Sequence, residues 1–302
     1  MSFLSYSRNW LSLAHQERQD DKWLQNKKID PTSRWLPLWQ NQCFINPASL
    51  QPIFLSSNKF SPSNEIVLLG LDQLQQAVFA VDLSFFTLKE AFQLVEANFI
   101  SDVRHLVARL NPVEADIIAR ARGLLYWHHR HQFCGVCGCR TMSCHGGAFR
   151  QCQEKRCETI YFPQISPAII TLIELPGSVP KCLLARHRES KPGQYSTLAG
   201  FVEVGENLEN AVHREVKEEV GLSLNKVIYQ ASQGWPFPGA LMVGFFAEAQ
   251  NGDVQVDRHE LIEAKWFTID EVRERLAATS ANPFNNDSIE KFLVTNWVQG
   301  YS

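Results

Sequence analysis

Two groups of side chains in this sequence have the types and spacing that do chemistry. The first is six cysteines, Cys134, Cys137, Cys139, Cys144, Cys152 and Cys157, within 24 residues, while Cys43 and Cys182 stand alone. Cys134-Gly-Val-Cys137 has the spacing that brings two sulfurs from one tight turn to one ion, and Cys152 and Cys157 follow after fourteen residues to complete four. Four thiolates leave no open position, so the chemistry is structural: one Zn²⁺ per chain, standing in for a core that so short a segment cannot build. Gly135 and Gly138 are expected to give the turn its backbone freedom. Cys139, Cys144 and His145 are spare ligands that could enter the shell. Free buried thiols are the plainer reading, and the density of cysteines argues against it. A zinc ribbon could equally serve as a nucleic-acid-binding module.

The second group is acidic. In Arg214-Glu215-Val216-Lys217-Glu218-Glu219, a helix puts Glu215, Glu218 and Glu219 on one face, because they are three and four residues apart. Leu208 and Ala211 start the same stripe, so the carboxylates continue an apolar face. Like charges gathered there repel unless a cation sits among them. Hard oxygen ligands favour Mg²⁺ or Mn²⁺, ions that bind carboxylate together with substrate phosphate. Arg214 can hold a carboxylate through a bidentate fork. Gly200 and Gly205 are expected to turn the chain ahead of the helix and Gly221 to cap its end. An isolated Lys-Glu-Glu run is usually a solvated surface.

Here, however, Gly200, Glu206, Arg214, Glu215, Glu218, Glu219 and Gly221, with apolar Val216 and Leu222, match every fixed position of the Nudix box. Chance would give such a match in a chain this long less than about once in a million, on an order-of-magnitude count. The sequence therefore resembles the Nudix hydrolases, which cleave nucleoside diphosphates linked to another moiety. The resemblance implies that Glu215, Glu218 and Glu219 hold the divalent ions, with Glu206 an accessory carboxylate or a partner for Arg214. Downstream, Ser232-Gln-Gly-Trp-Pro-Phe-Pro238-Gly-Ala240 is similar to the array that marks the NADH pyrophosphatase subfamily, whose members carry a four-cysteine ribbon just before the Nudix domain. Trp127-His-His ahead of the cysteines and Tyr161-Phe-Pro-Gln-Ile165 after them add to the likeness, which is weak before about Arg104.

That resemblance implies water attack on the pyrophosphate of NAD(H) to give nicotinamide mononucleotide and AMP, with two or three Mg²⁺ or Mn²⁺ ions. It implies further ligands in Glu260 and the carbonyl of Ala199, and a base in Glu218 or Glu219. Substrate would be met by Gln233, Gly234, Trp235, Pro236, Phe237, Pro238, Gly239 and Ala240. Phe201 and Phe162 would sandwich the nicotinamide, Phe162 from a partner subunit of a homodimer, and Arg104 would approach a phosphate. Prolines 236 and 238 stiffen the loop so that Trp235 and Phe237 suit stacking on flat bases. The chain departs from the subfamily at Gly234 (for proline), Ala240 (for serine) and Glu290 (for alanine), which leaves the preference among dinucleotides open. The same chemistry would remove an NAD cap from RNA, whose flexible 5′ end suits the site better than a paired one. ADP-ribose and diadenosine polyphosphates are rival substrates, and a zinc-ribbon regulator with a silent Nudix fold is the rival of another class.

Elements must position these groups. Residues 208–220 read as the strong helix, with strands expected at 168–174, 182–186, 195–199, 227–232, 241–249 and 264–267 around it. Thr268 with Glu271 forms a capping box for a helix ending near Ala278, and Asn286–Val298 reads as the last helix. Upstream, 65–70 and 77–81 suit an antiparallel pair, and 88–98 and 112–130 amphipathic helices, the second burying Ile117, Ile118, Ala121, Leu124 and Leu125. The expected class is α+β: an N-terminal α/β domain (1–130), a four-cysteine zinc ribbon (131–163) and a C-terminal Nudix α/β/α sandwich (164–302). With 302 residues, 45% of them hydrophobic and 20% charged, global disorder is excluded. A net charge of −3 disfavours tight binding to duplex DNA. No apolar run reaches membrane-spanning length and no signal peptide is visible, so a cytoplasmic location is expected.

Overall fold

The computed structural model describes residues 4–6, 8, 10–56, 59–60, 65–279 and 288–301, and of Thr279 the backbone alone. They form two compact units: residues 165–235 and 240–302 with the N-terminal residues up to 7, and residues 8–164 with 236–239.

In the second unit, Asp20 caps α1 (Asp21–Ile29) by accepting from two backbone amides. A five-stranded sheet comes next, built from β1 (Arg34–Trp39), β2 (Gln42–Phe44), β3 (Ile66–Leu71), β4 (Ala77–Asp82) and β5 (Ile100–Asp102) in the order β3-β4-β1-β2-β5. The β3–β4 pair is antiparallel, as its apolar runs and polar turn predict. β1 went unpredicted because Pro37 interrupts it, and proline usually marks an edge; here the strand lies between β4 and β2, with Trp35 stacked 4.6 Å from Phe79. The helices are α2 (Leu88–Val95), α3 (Val103–Val107) and α4 (Pro112–Arg130). Asn111 caps α4, Pro112 starts it, and Ile117, Ile118, Ala121 and Leu125 are buried, while Leu124 is only half-buried. The unit ends in a small antiparallel sheet, β6 (Thr141–Cys144), β7 (Phe149–Cys152) and β8 (Ile160–Tyr161). Buried Arg18 donates to the carbonyls of Leu68, His145 and Gly146, tying the β6–β7 turn to β3.

The other unit is a six-stranded sheet between helices: β9 (Ser166–Leu175), β10 (Lys181–His187), β11 (Leu198–Phe201), α5 (Leu208–Val220), β12 (Leu224–Trp235), β13 (Ala240–Ala249), β14 (Leu261–Thr268), α6 (Ile269–Thr279) and α7 (Ile289–Gln299). The order is β12-β13-β9-β10-β14, with β11 also on β9 and only β13–β9 parallel. β9 is apolar almost throughout because both its faces are covered. Ile169 and Ile173 join Val212 and Val216 of α5, and Ile170 and Leu172 join Leu293 and Trp297 of α7. The Thr268–Glu271 capping box forms. β11 begins three residues later than expected, because Ser196 makes only an isolated bridge to Ala185. Ser288 caps α7; the expected helix residues 286–287 lie outside the described residues. Among the described residues no helix is long and apolar enough to cross a membrane.

Candidate active site and zinc centre

The acidic group is built by β11, the loop after it and α5. Gly205 (φ 86°) turns the loop, Asn207 caps the helix by accepting from the Asn210 amide at 2.8 Å, and Gly221 (φ 72°) ends it in the left-handed region. Gly200 has a different task from the turn expected of it. It lies within β11, outside the left-handed region, and a Cβ there would stand 1.9 Å from Oε1 of Glu215. Glycine lets that carboxylate lie against the strand backbone.

Arg214 organises the group. Its guanidinium donates to both carboxylate oxygens of Glu206 at 2.9 Å, to Glu215 at 2.9 Å, to Glu218 at 3.1 Å and to the Phe201 carbonyl at 2.9 Å. These bonds hold the Glu206 carboxyl below its ordinary range. Glu219 is not among the partners of this fork. It is 5% exposed, and its buried Oε2 has no hydrogen-bond partner. Burial pushes its carboxyl up to about 8, and the negative charges of Glu215, Glu260, Asp257 and Glu218 add to the effect. A buried, unpartnered oxygen surrounded by four acids is the donor set a hard cation would satisfy.

The loop ahead of β14 brings the other acids. The Asp257 amide donates to the Glu219 carbonyl at 2.8 Å, and Asp257 Oδ1 accepts from the His259 amide at 2.9 Å. Arg188 braces the loop, its amide donating to the Glu260 carbonyl at 3.1 Å and its Nε to the His259 carbonyl at 2.9 Å. Asp257 is the residue that sequence reasoning missed; its one signal was a place three residues before Glu260. Ala199 lies in β11 opposite Ile170.

The residues expected to meet substrate lie in varied settings. Gln233 is fully buried, with Nε2 donating to the Ser5 carbonyl at 3.0 Å and Oε1 accepting from the Ile289 amide at 2.8 Å, so both ends of its amide are engaged within the fold. At Gly234 a Cβ would stand 2.6 Å from the Tyr6 carbonyl, which accounts for glycine there, and Trp235 meets the Tyr6 ring edge-on at 6.2 Å. Pro236, Phe237, Pro238 and Gly239 belong to the other compact unit. There Arg122 of α4 donates to the Pro236 carbonyl, and the guanidiniums of Arg104 and Arg122 lie 5.4 and 5.2 Å from the Phe237 ring centroid. Phe237 thus meets cations before any base. Ala240 opens β13 opposite Trp235. Phe201 and Phe162 are 62% and 64% exposed. Glu290, in the first turn of α7, lines a cavity of about 300 Å³ with Tyr195 and Arg275, and burial pushes its carboxyl up to about 7 against the opposing pull of the Thr197 amide and Arg275.

The cysteines are assembled more tightly. The four sulfurs of Cys134, Cys137, Cys152 and Cys157 lie within 4.8 Å of one another, at 3.7 Å for Cys134–Cys157 and 3.4 Å for Cys137–Cys152. Tetrahedral sulfurs about 2.3 Å from a zinc ion stand about 3.8 Å apart, so the four fit that ion. Cys139 and Cys144 lie outside this set. Gly138 adopts φ 76°, as the knuckle requires, whereas Gly135 does not enter the left-handed region; its amide donates instead to the Tyr161 hydroxyl at 3.0 Å. That hydroxyl lies 3.2 Å from the Cys134 sulfur and brings the Cys134 thiol down to about 6. Among the described residues, these thiols are the only group of three or more ligand atoms drawn together; the glutamates are not.

Comparison with known proteins decides what the two groups belong to. The description of a NUDIX domain matches residues 166–292, and that of an NADH pyrophosphatase-like rudimentary NUDIX domain matches residues 32–127. The chain carries a Nudix domain. It is 38% identical over 221 residues to the mitochondrial NAD(P)H pyrophosphatase NUDT13 of Mus musculus, 36% over 200 to the NAD-capped RNA hydrolase NUDT12 of Homo sapiens, and 40% over 161 to the NAD-capped RNA hydrolase NudC of Mannheimia succiniciproducens. These matches take in 70%, 63% and 52% of this chain and 61%, 43% and 59% of those proteins, so the chain spans about half the length of the relatives it matches. The rudimentary Nudix match ends within α4, and the box carboxylates, Glu206 to Glu219, all lie in the module at residues 166–292. Nudix hydrolases need divalent metals, and the carboxylates of this module suit them.

Proposed function

We propose that this Nudix protein is a metal-dependent diphosphatase that splits the pyrophosphate of NAD(H) into nicotinamide mononucleotide and AMP, and that it removes NAD caps from RNA 5′ ends. The observation that carries the reading is Glu219: a buried carboxylate whose Oε2 has no hydrogen-bond partner, close enough to Glu215 and Glu260 to feel their charge. The names of the relatives support the substrate, and the resemblance of residues 232–240 supports it independently.

Glu215, Glu218, Glu219, Glu260 and the Ala199 carbonyl would hold two or three Mg²⁺ or Mn²⁺ ions, whose chemistry is to neutralise phosphoryl charge and lower the pKa of water. Glu219, buried and fixed, suits the role of ligand. Glu218, with 59% of its side chain exposed, suits passing the proton of the attacking water to solvent. Arg214 keeps Glu215 and Glu218 in place until the ions are bound. The exposed rings of Phe201 and Phe162 would flank the nicotinamide, Phe162 across a homodimer; Arg104 would meet phosphate, and Trp235, Phe237 and Glu290 would shape the base sites. One Zn²⁺ would close the four-cysteine ribbon, and the protein would act in the cytoplasm.

Incubation of the zinc-loaded protein with NADH, NAD, ADP-ribose and NAD-capped RNA in Mn²⁺, with AMP as the readout, tests the proposal. Fastest AMP release from NADH or the capped RNA is expected. Preferred turnover of ADP-ribose would move the substrate class, and no AMP from any of them would leave a silent Nudix fold with a binding role.

A further inference from the structure

The zinc shell is supported from outside by groups that the ligand pattern does not include. A four-thiolate zinc site carries two net negative charges, and donors aimed at the sulfurs offset them. Backbone amides supply part of this: Val136 N donates to Cys134 at 3.4 Å and Glu154 N to Cys152 at 3.5 Å. The Thr159 hydroxyl lies 3.0 Å from the Cys157 sulfur, two residues along the chain. Tyr161 differs because its reach is long. Its phenol oxygen accepts from the Gly135 amide at 3.0 Å and stands 3.2 Å from the sulfur of Cys134, 27 residues away. One hydroxyl therefore joins the first knuckle to β8, a strand of two residues held to β7 by two register pairs, Arg150–Tyr161 and Gln151–Ile160.

The residue after Tyr161 gives that link a consequence. Phe162 directly follows the last residue of that strand, 64% exposed, with its ring 5.6 Å from that of Phe149. Besides its two register pairs, β8 is held by the Tyr161 ring, 6.4 Å from that of His131. We propose that Tyr161 is a positioning residue: its hydroxyl, bound to the Cys134 ligand, couples metal occupancy of the ribbon to the placement of the Phe162 ring. The zinc is then a determinant of substrate affinity as well as of the fold. This rests on the reading of Phe162 as a substrate-facing ring.

The Tyr161→Phe variant of the full chain removes the hydroxyl and keeps the ring. It is compared with the wild type in zinc transfer to a chromogenic chelator, in the thiolate-to-metal charge-transfer band of the Co²⁺-substituted ribbon, and in KM and kcat for NADH with Mn²⁺. Zinc release about tenfold faster is expected, in the range found for outer-shell partners of metal ligands. The cobalt band should shift, because the sulfur loses a hydrogen bond, and KM should rise severalfold at unchanged kcat. Unchanged release and an unchanged band would overturn the proposal. Faster release with an unchanged KM would overturn the coupling, provided that Phe162→Ala itself raises KM without altering zinc release. If Phe162→Ala leaves KM alone, the substrate-facing reading of that ring falls and takes the coupling with it. If the wild type hydrolyses no dinucleotide, the enzymatic reading fails, and the zinc and cobalt measurements alone decide whether Tyr161 supports the metal.

Discussion

The thiols of the ribbon and the carboxylates of α5 are both ligand sets, and the polypeptide treats them in opposite ways. The four sulfurs stand at nearly the separation that zinc demands, two of them 3.4 Å apart. The carboxylates are not drawn together: Arg214 holds Glu206, Glu215 and Glu218, while Glu219 is buried with its Oε2 lacking a hydrogen-bond partner. The Cys137 and Cys152 thiols are raised and stay neutral until metal arrives, so the four sulfurs gather with less repulsion than four carboxylates would. Carboxylates at neutral pH repel, so a guanidinium must occupy the space between them. A closed site is thereby preassembled, whereas the carboxylates, on the proposed reading, would be drawn together only by the ions they bind.

Glu219→Gln should sharpen this contrast most. If Glu219 is the proposed ligand, worth several kcal/mol to the transition state, turnover should fall by about a thousandfold or more at saturating Mn²⁺. The same change should stabilise the metal-free protein. A carboxyl raised in the folded state to about 8 from 4.5 adds stability below its unfolded pKa and loses it as pH climbs through the folded value. The metal-free wild type should therefore melt progressively lower from about pH 4.5 to 8, and the glutamine variant should not, giving a gap of several degrees at pH 8 that closes at pH 5.

Cys152→Ser strikes the other region. With one thiolate gone, bound zinc should fall well below one per chain and the melting temperature by about 10 °C, because metal binding is folding free energy in a ribbon this small. Arg214→Lys keeps the charge and loses the fork; activity should fall by about 10- to 100-fold with the melting temperature nearly unchanged. The smallest effect belongs to Gly200→Ala. Its Cβ would meet Glu215 at 1.9 Å, so the carboxylate must swing away, at a cost of about 1–3 kcal/mol and roughly tenfold in kcat.

These particular residues also show how far the sequence could be read. The knuckle spacing, the i, i+3, i+4 placement of the acids on one helix and the Thr268–Glu271 capping box are local rules, and the structure obeys them. What depends on distant parts of the chain was hidden. Pro37 masked a central strand because tertiary pairing overrode its local preference. Gly200 read as a turn former, since nothing local says that a side chain fifteen positions on will press against it. Asp257 carries no local signal beyond its place before Glu260; only the fold brings its amide onto the Glu219 carbonyl. Gln233 sat in a recognition array, yet both ends of its amide are engaged within the fold, at Ser5 and Ile289. In each case the missing information was a contact between residues far apart in sequence.

The contrast between preassembled sulfurs and waiting carboxylates has a direct assay. Brief dialysis of the zinc-loaded protein against a mild chelator, with metal analysis and NADH turnover afterwards, separates the two sites by how readily they empty. The account predicts that turnover vanishes while about one zinc per chain remains, and that added Mn²⁺ restores it. Turnover that survives without Mg²⁺ or Mn²⁺, or that returns on addition of zinc alone, would contradict it.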